Sequence, residues 1–142
     1  MEQRAEVRPE IAEFFRQYDE AGTRADPSAA EYFASSFLTL DPEHVLTLDR
    51  ATLAGILPGR RQAFDQLGVR GLRLTDLTEE PLDDRHTLAR TTWSVDWSQP
   101  GPSTEVSATY VLRREDAGWQ IVVYLNHHDV MTMLASRGQQ PS

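Results

Sequence analysis

Trp119-Gln120-Ile121-Val122-Val123-Tyr124-Leu125-Asn126-His127-His128-Asp129-Val130 is the stretch on which the fold turns. It follows a turn at Gly118, contains neither Gly nor Pro, and is rich in β-branched and aromatic residues, which predicts a long strand. Side chains alternate along a strand, so Trp119, Ile121, Val123 and Leu125 are expected on one face. Gln120, Val122, Tyr124, Asn126 and His128 are expected on the other. That second face grows polar toward its end without becoming charged. A strand wet on one side would carry charges there, so this one reads as covered on both faces.

Outward from this strand the period of two extends back to Gly71. Leu72–Thr78, Thr87–Trp97 and Glu105–Arg114 read as three further strands, linked by Pro81-Leu82-Asp83-Asp84, Pro100-Gly101-Pro102-Ser103 and Glu115-Asp116-Ala117-Gly118. Links this short join antiparallel neighbours. Ahead of Gly71 the period is that of a helix. Residues 8–24 place Ile11, Phe14, Phe15 and Tyr18 on one apolar stripe, with Gly22 at the exit. Asp26-Pro27 is an N-cap followed by Pro at the first helical position, opening a short second helix to about residue 34, with Tyr32 and Phe33 as buried contacts. Ser36–Leu40 is a short strand stopped by Asp41-Pro42, and Val45–Leu48 pairs back on it. Asp49 caps a third helix whose inner stripe is Leu53, Ile56 and Leu57. Pro58-Gly59 predicts a kink or two abutting helices, with Phe64 and Leu67 burying the second part before Gly68. The tail after Met133 is expected to fray.

One domain over residues 8–130 follows, between flexible termini at 1–7 and 134–142. Helices first and a long antiparallel meander afterwards make an α+β arrangement. The expected form is a cone-shaped roll, a curved antiparallel sheet covered by three N-terminal helical segments, and a cone has an interior.

Composition narrows the function. A chain of 142 residues buries a core without covalent staples. Cysteine is absent, which excludes disulfides, thiolate catalysis and Cys-based metal sites. The charged opening residues lack the apolar run of a secretory signal, and no apolar run reaches membrane-spanning length, so the expected compartment is the cytoplasm. All 14 basic residues are Arg, and the formal charge of −8 would repel duplex nucleic acid at long range. There is no Gly-x-Ser-x-Gly, P-loop, His-Glu-x-x-His or Gly-x-Gly-x-x-Gly pattern. Serine hydrolysis, nucleotide hydrolysis and zinc proteolysis therefore lose their usual support.

Three segments carry a resemblance: Phe14-Phe15-Arg16-Gln17-Tyr18, then Tyr32-Phe33-Ala34 with Phe37-Leu38-Thr39-Leu40-Asp41-Pro42, then Gly118-Trp119-Gln120-Ile121-Val122-Val123-Tyr124. Together with the order of elements, over roughly residues 8–130, the chain resembles the nuclear transport factor 2-like superfamily, which includes the SnoaL-like polyketide cyclases and the steroid isomerases. The steroid isomerases use a tyrosine on the first helix, an aspartate ending the first strand and a second acid on a later strand. The resemblance puts Tyr18 on the tyrosine and Asp41 on the base. The region of the second acid reads Thr109-Tyr110-Val111, so the third member of that set is missing. A carboxylate at a pocket mouth can take a proton alpha to a carbonyl while a phenol donates to the developing enolate. The alternatives are structural: Tyr18 completing a helix stripe, and Asp41-Pro42 simply ending a strand.

Tyr124, Asn126 and His128 share a face that the resemblance turns toward the interior, which makes His128 the second candidate for moving a proton. His127-His128-Asp129 is not a metal site by this reading, because adjacent strand residues diverge and two ligands lack a third. Trp93 and Trp97 share one face and serve either core or subunit packing or as a ligand platform. The expected catalytic residues are thus Asp41, Tyr18 and His128. The expected ligand contacts are Phe14, Trp93, Trp97, Tyr110, Tyr124 and Asn126, with no cofactor and no metal. The expected function is binding of a small hydrophobic carbonyl-type ligand, with or without cofactor-free isomerase or cyclase chemistry, in a homodimer. The alternative is a noncatalytic ligand-binding or assembly module.

Overall fold

The segments of period two become one six-stranded sheet, seen in a computed structural model that describes residues 7–23 and 27–139. In chain order the elements are α1 (Pro9–Thr23), a 3-10 turn (Pro27–Tyr32), β1 (Phe33–Leu40), β2 (Val45–Asp49), α2 (Arg50–Leu67), β3 (Val69–Pro81), β4 (His86–Trp97), β5 (Glu105–Glu115), β6 (Gly118–Asn126) and α3 (Val130–Gln139). The N-cap expected at Asp26 and the chain ends 1–6 and 140–142 lie outside the described residues. The strand order is β2-β1-β6-β5-β4-β3.

The sheet is mixed rather than wholly antiparallel. β3 to β6 form the expected meander and β1–β2 a hairpin, but β1 runs parallel to β6. Tight turns force antiparallel pairing only between the strands they join. β1 and β6 are joined by most of the chain, so no local signal sets their direction.

A second difference lies in β6 itself. Val123 pairs with Val111 and Ile121 with Leu112, so Val122 is an extra residue, a β-bulge. The bulge shifts the alternation by one. Ile121, expected opposite Tyr124, instead lies on the same concave face, beside Leu112, and both Ile121 and Leu112 are fully buried. Beyond the bulge, Tyr124 pairs with Tyr110 and Asn126 with Ala108.

The helices close the cone. α2 packs against β1 and β2 at one edge of the sheet and against β3 at the other. One helix can reach both edges only if the sheet curls toward it. Asp49 caps α2 as expected, accepting from the Thr52 amide at 2.7 Å, and Gly68 ends it in the left-handed conformation at φ 80°. Of the two outcomes expected at Pro58, a kink or two abutting helices, the second does not occur: α2 is a single helix through it. Proline removes one backbone donor there, but the turns on both sides are held by the cap and by Leu53, Leu67 and buried Phe64 against the core.

The tail is ordered further than its composition suggests. α3 continues to Gln139, and Leu134 is fully buried. At the opposite end of the chain Arg8 is tied to Glu79 of β3. Glu79 accepts from the Arg8 amide at 3.0 Å, from Arg8 Nε at 2.9 Å and from the Thr87 hydroxyl at 2.6 Å. The Arg8 guanidinium also lies 5.3 Å from the ring centroid of Trp119.

Candidate functional site

Strand register determines which side chains meet inside the cone. Tyr124, Tyr110 and Ala89 stand in one cross-strand row, and Asn126, Ala108 and Thr91 in the next. With a small residue at Ala108 and large ones on α1 and α2 opposite, space is left between sheet and helices. A half-open pocket of about 720 Å³ lies there, inside the range of about 300–1,000 Å³ that ligand sites occupy. Its mouth is bordered by Leu46 of β2 and Ile56 of α2, both largely exposed.

The wall is aromatic. The Tyr18 ring sits 5.8 Å from Tyr110, 5.9 Å from Phe33 and 6.1 Å from Trp93, and Tyr110 sits 5.0 Å from Tyr124. These edge-on contacts fix the rings in place. Trp93 is anchored further: its indole donates to the Thr91 hydroxyl at 2.7 Å, which donates to the Ala108 carbonyl at 2.8 Å. The indole is thus satisfied without help from a ligand.

The polar groups gather among the tyrosines. The Tyr18 and Tyr110 rings stand against each other, and burial pushes both phenols above their ordinary pKa. Each is therefore a neutral donor at any physiological pH. Asn126 Nδ2 donates to the Tyr124 hydroxyl at 3.4 Å, and Asn126 Oδ1 accepts from the His128 amide at 3.3 Å. His128 Nε2 lies 3.4 Å from the Ser107 hydroxyl, near the mouth.

Seven of the nine expected site residues border this pocket: Tyr18, Asp41, His128, Trp93, Tyr110, Tyr124 and Asn126. Phe14 and Trp97 do not. Phe14 faces the α1 and 3-10 side, packed 5.2 Å from Phe15 and 5.6 Å from Tyr32. Its position on the helix stripe turns it past the pocket and into the core. Trp97, at the last residue of β4, donates to Thr104 at 3.3 Å and pairs with Val69 beyond the pocket floor.

Asp41 stands at the rim, yet its geometry is that of a turn. Its Oδ1 accepts from the Glu43 and His44 amides, each at 2.8 Å, and from His44 Nδ1 at 3.0 Å. The Glu43 amide foremost, and His44 with it, hold the carboxyl below its ordinary pKa against a smaller effect of burial. A carboxylate so occupied is a weak proton acceptor.

Asp19 and Arg60, both on the pocket wall, are not among the residues expected there. Asp19 of α1 has its pKa raised by burial, opposed by the Leu74 amide and by Arg73. Arg60 of α2 points into the pocket, its guanidinium carbon 5.2 Å from the Phe64 ring centroid. Burial works against its charge, and Tyr124, Tyr18 and Tyr110, which border the same pocket, favour it and hold its pKa above the ordinary value. Arg60 could have been found, since Leu53, Leu57, Arg60 and Phe64 follow one helical stripe and only Arg60 is charged. Among the described residues no group of three or more His, Asp or Glu is placed to hold a metal ion, and no helix is long and apolar enough to cross a membrane.

A curled sheet roofed by helices, with a pocket on its concave side, defines the nuclear transport factor 2-like class. The chain belongs to the family described as NTF2-like protein (DUF6841), whose model matches residues 5–129. An NTF2-like protein with a cystatin-like fold from Novosphingobium aromaticivorans is 20% identical, with a TM-score of 0.69 over 93% of this chain and 88% of its own. Aln2 from a Streptomyces species is 16% identical, with a TM-score of 0.70 over 92% and 99%. A protein provisionally named a scytalone dehydratase, also from Novosphingobium aromaticivorans, is 14% identical, with a TM-score of 0.60 over 82% and 80%. Likeness at this identity establishes the shared fold alone. No curated protein matches the chain significantly.

Proposed function

We propose that the pocket binds a small hydrophobic ligand of carbonyl type. The supporting observation is the pairing of an aromatic wall with phenol hydroxyls inside it: Tyr18, Tyr110 and Tyr124 can donate to a carbonyl oxygen while the rings of Phe33 and Trp93 take the apolar body. Thermal shift tests the reading. Neutral aromatic ketones and steroid-like ketones are expected to raise the melting temperature in a concentration-dependent way. A panel of such ketones with no concentration-dependent shift would remove it.

Cofactor-free acid/base turnover is the second reading, favoured by His128 standing beside Asn126 at the mouth. In that reading His128 moves the proton and Tyr18 steadies the oxygen, and Asp41 serves the rim turn. Binding without turnover, in a module that keeps the pocket only, is the simpler form of the same proposal.

A homodimer through the convex sheet face, in the cytoplasm, completes it. That face carries Leu38, Val123, Val111 and Leu88 side by side in one cross-strand row, each only half-covered apart from buried neighbours on the concave side. Light scattering at micromolar concentration is expected to give a dimer mass that Val111→Arg reduces to a monomer. A monomer mass for the unaltered chain would end the dimer proposal.

A further inference from the structure

We infer that the pocket is selective for an anion: its ligand carries a carboxylate or an enolate-type oxyanion, seated on the Arg60 guanidinium, at the end of an apolar body. This rests on the pocket-binding reading above and specifies the charge of what is bound.

Arg60 stands among aromatic rings rather than carboxylates. Arg60 borders the pocket together with Tyr18, Tyr110 and Tyr124, with the Phe64 ring 5.2 Å away. The other charges on the pocket wall are used elsewhere. Asp41 binds the turn amides and His44. Arg61 donates to the Arg70 carbonyl at 2.6 Å and pairs with Asp65 at 3.4 Å. Asp19 accepts from the Leu74 amide at 3.4 Å, and Asp129 from the Thr132 amide at 3.3 Å.

Arg60 is partly covered in the half-open pocket, and a guanidinium keeps its charge there, to be met by dipoles, water or a counter-ion. Here the phenols of Tyr18 and Tyr110 are themselves held neutral and supply dipoles only. A guanidinium presents five donors in a planar fork that matches a carboxylate in two parallel hydrogen bonds, and Arg60 presents that fork on the pocket wall. The phenol hydroxyls beside it can donate to the same oxyanion. The whole chain carries a formal charge of −8, so the long-range field repels anions and nonspecific attraction cannot imitate this selectivity.

The test compares two planar probes of equal shape, 2-naphthoate and 2-naphthamide, by isothermal titration calorimetry. The unaltered protein is expected to bind naphthoate at least about tenfold more tightly, the range of a charge-assisted hydrogen bond. Arg60→Met should bring the two affinities together by weakening naphthoate alone, whereas Arg60→Lys should keep part of the difference. Tyr124→Phe, which removes only one hydroxyl, should narrow the ratio and serves if the Arg60 variants do not fold. Equal binding of both probes by the unaltered protein overturns the anion inference and leaves the pocket reading intact. A preference that survives Arg60→Met overturns it as well. Binding of neither probe at millimolar concentration overturns both readings.

Discussion

Phe15→Ala is expected to be among the most destabilising single truncations in this chain, at roughly 3–5 kcal/mol. Phe15 is fully buried where α1 meets the sheet. Its ring lies 5.2 Å from Phe14, 5.2 Å from Tyr110 and 6.2 Å from Tyr18. The cost has two parts, the transfer energy of the lost ring and the cavity it leaves. The second is large here because Tyr110 and Tyr18 are fixed by their contacts with each other and with the rings of Phe33, Trp93 and Tyr124, and cannot collapse into the gap. Urea denaturation should show a lower midpoint at unchanged slope. Because the same truncation frees Tyr110 on the pocket wall, affinity for an aromatic ligand should fall with stability. A loss of stability under about 1 kcal/mol would mean that α1 is not packed on Tyr110 as described.

Glu79→Ala should cost about 2–4 kcal/mol, because it strands the groups that the carboxylate joins. The Glu79 side chain is 1% exposed, whereas that of Arg8 is 37% exposed and can be partly rehydrated. The Thr87 residue is fully buried and cannot. Glu79→Gln keeps the shape and one acceptor oxygen, and should cost less. The carboxylate also gives stability a pH dependence with a definite sign. Burial alone would raise its pKa, but the hydrogen bonds from the Arg8 side chain, from Thr87 and from the Arg8 amide outweigh this and leave it below its ordinary value of 4.5. The folded state then holds its proton less tightly than the unfolded chain. Its contribution is complete above the unfolded pKa and is lost as pH falls through the lower folded value. Unfolding free energies taken from about pH 6 down to about pH 3 should drop more steeply for the unaltered chain than for Glu79→Gln. Parallel curves would show that Glu79 does not bear the charge assigned to it.

The reach of sequence reading can be followed residue by residue. Gly68 and Asp49 were legible because a left-handed stop and an N-cap are local events, decided by one residue and its near neighbours. The pocket tyrosines were legible through periodicity and the family resemblance together. Trp97 and Phe14 show where periodicity stops helping: it reports which side of an element a residue occupies, not how far along that element the pocket extends. The bulge at Val122 was invisible because an extra residue in a run of β-branched side chains leaves no compositional trace. Arg60 was hidden by the Pro58-Gly59 pair, which pointed to a break one residue before a charge on the inner stripe.

By itself, then, the order of residues determined the strands of the meander, helices α1 and α2 with the Asp49 cap and the Gly68 stop, the α+β class and the family, since each depends on short-range chemistry or on a pattern spread along the whole chain. Only the folded molecule decided that β1 lies parallel to β6, that Ile121 and Tyr124 share the concave face, and that one arginine stands among three phenols. Those are meetings between segments far apart in the chain, governed by register and curvature, and no single segment carries the information that brings them about.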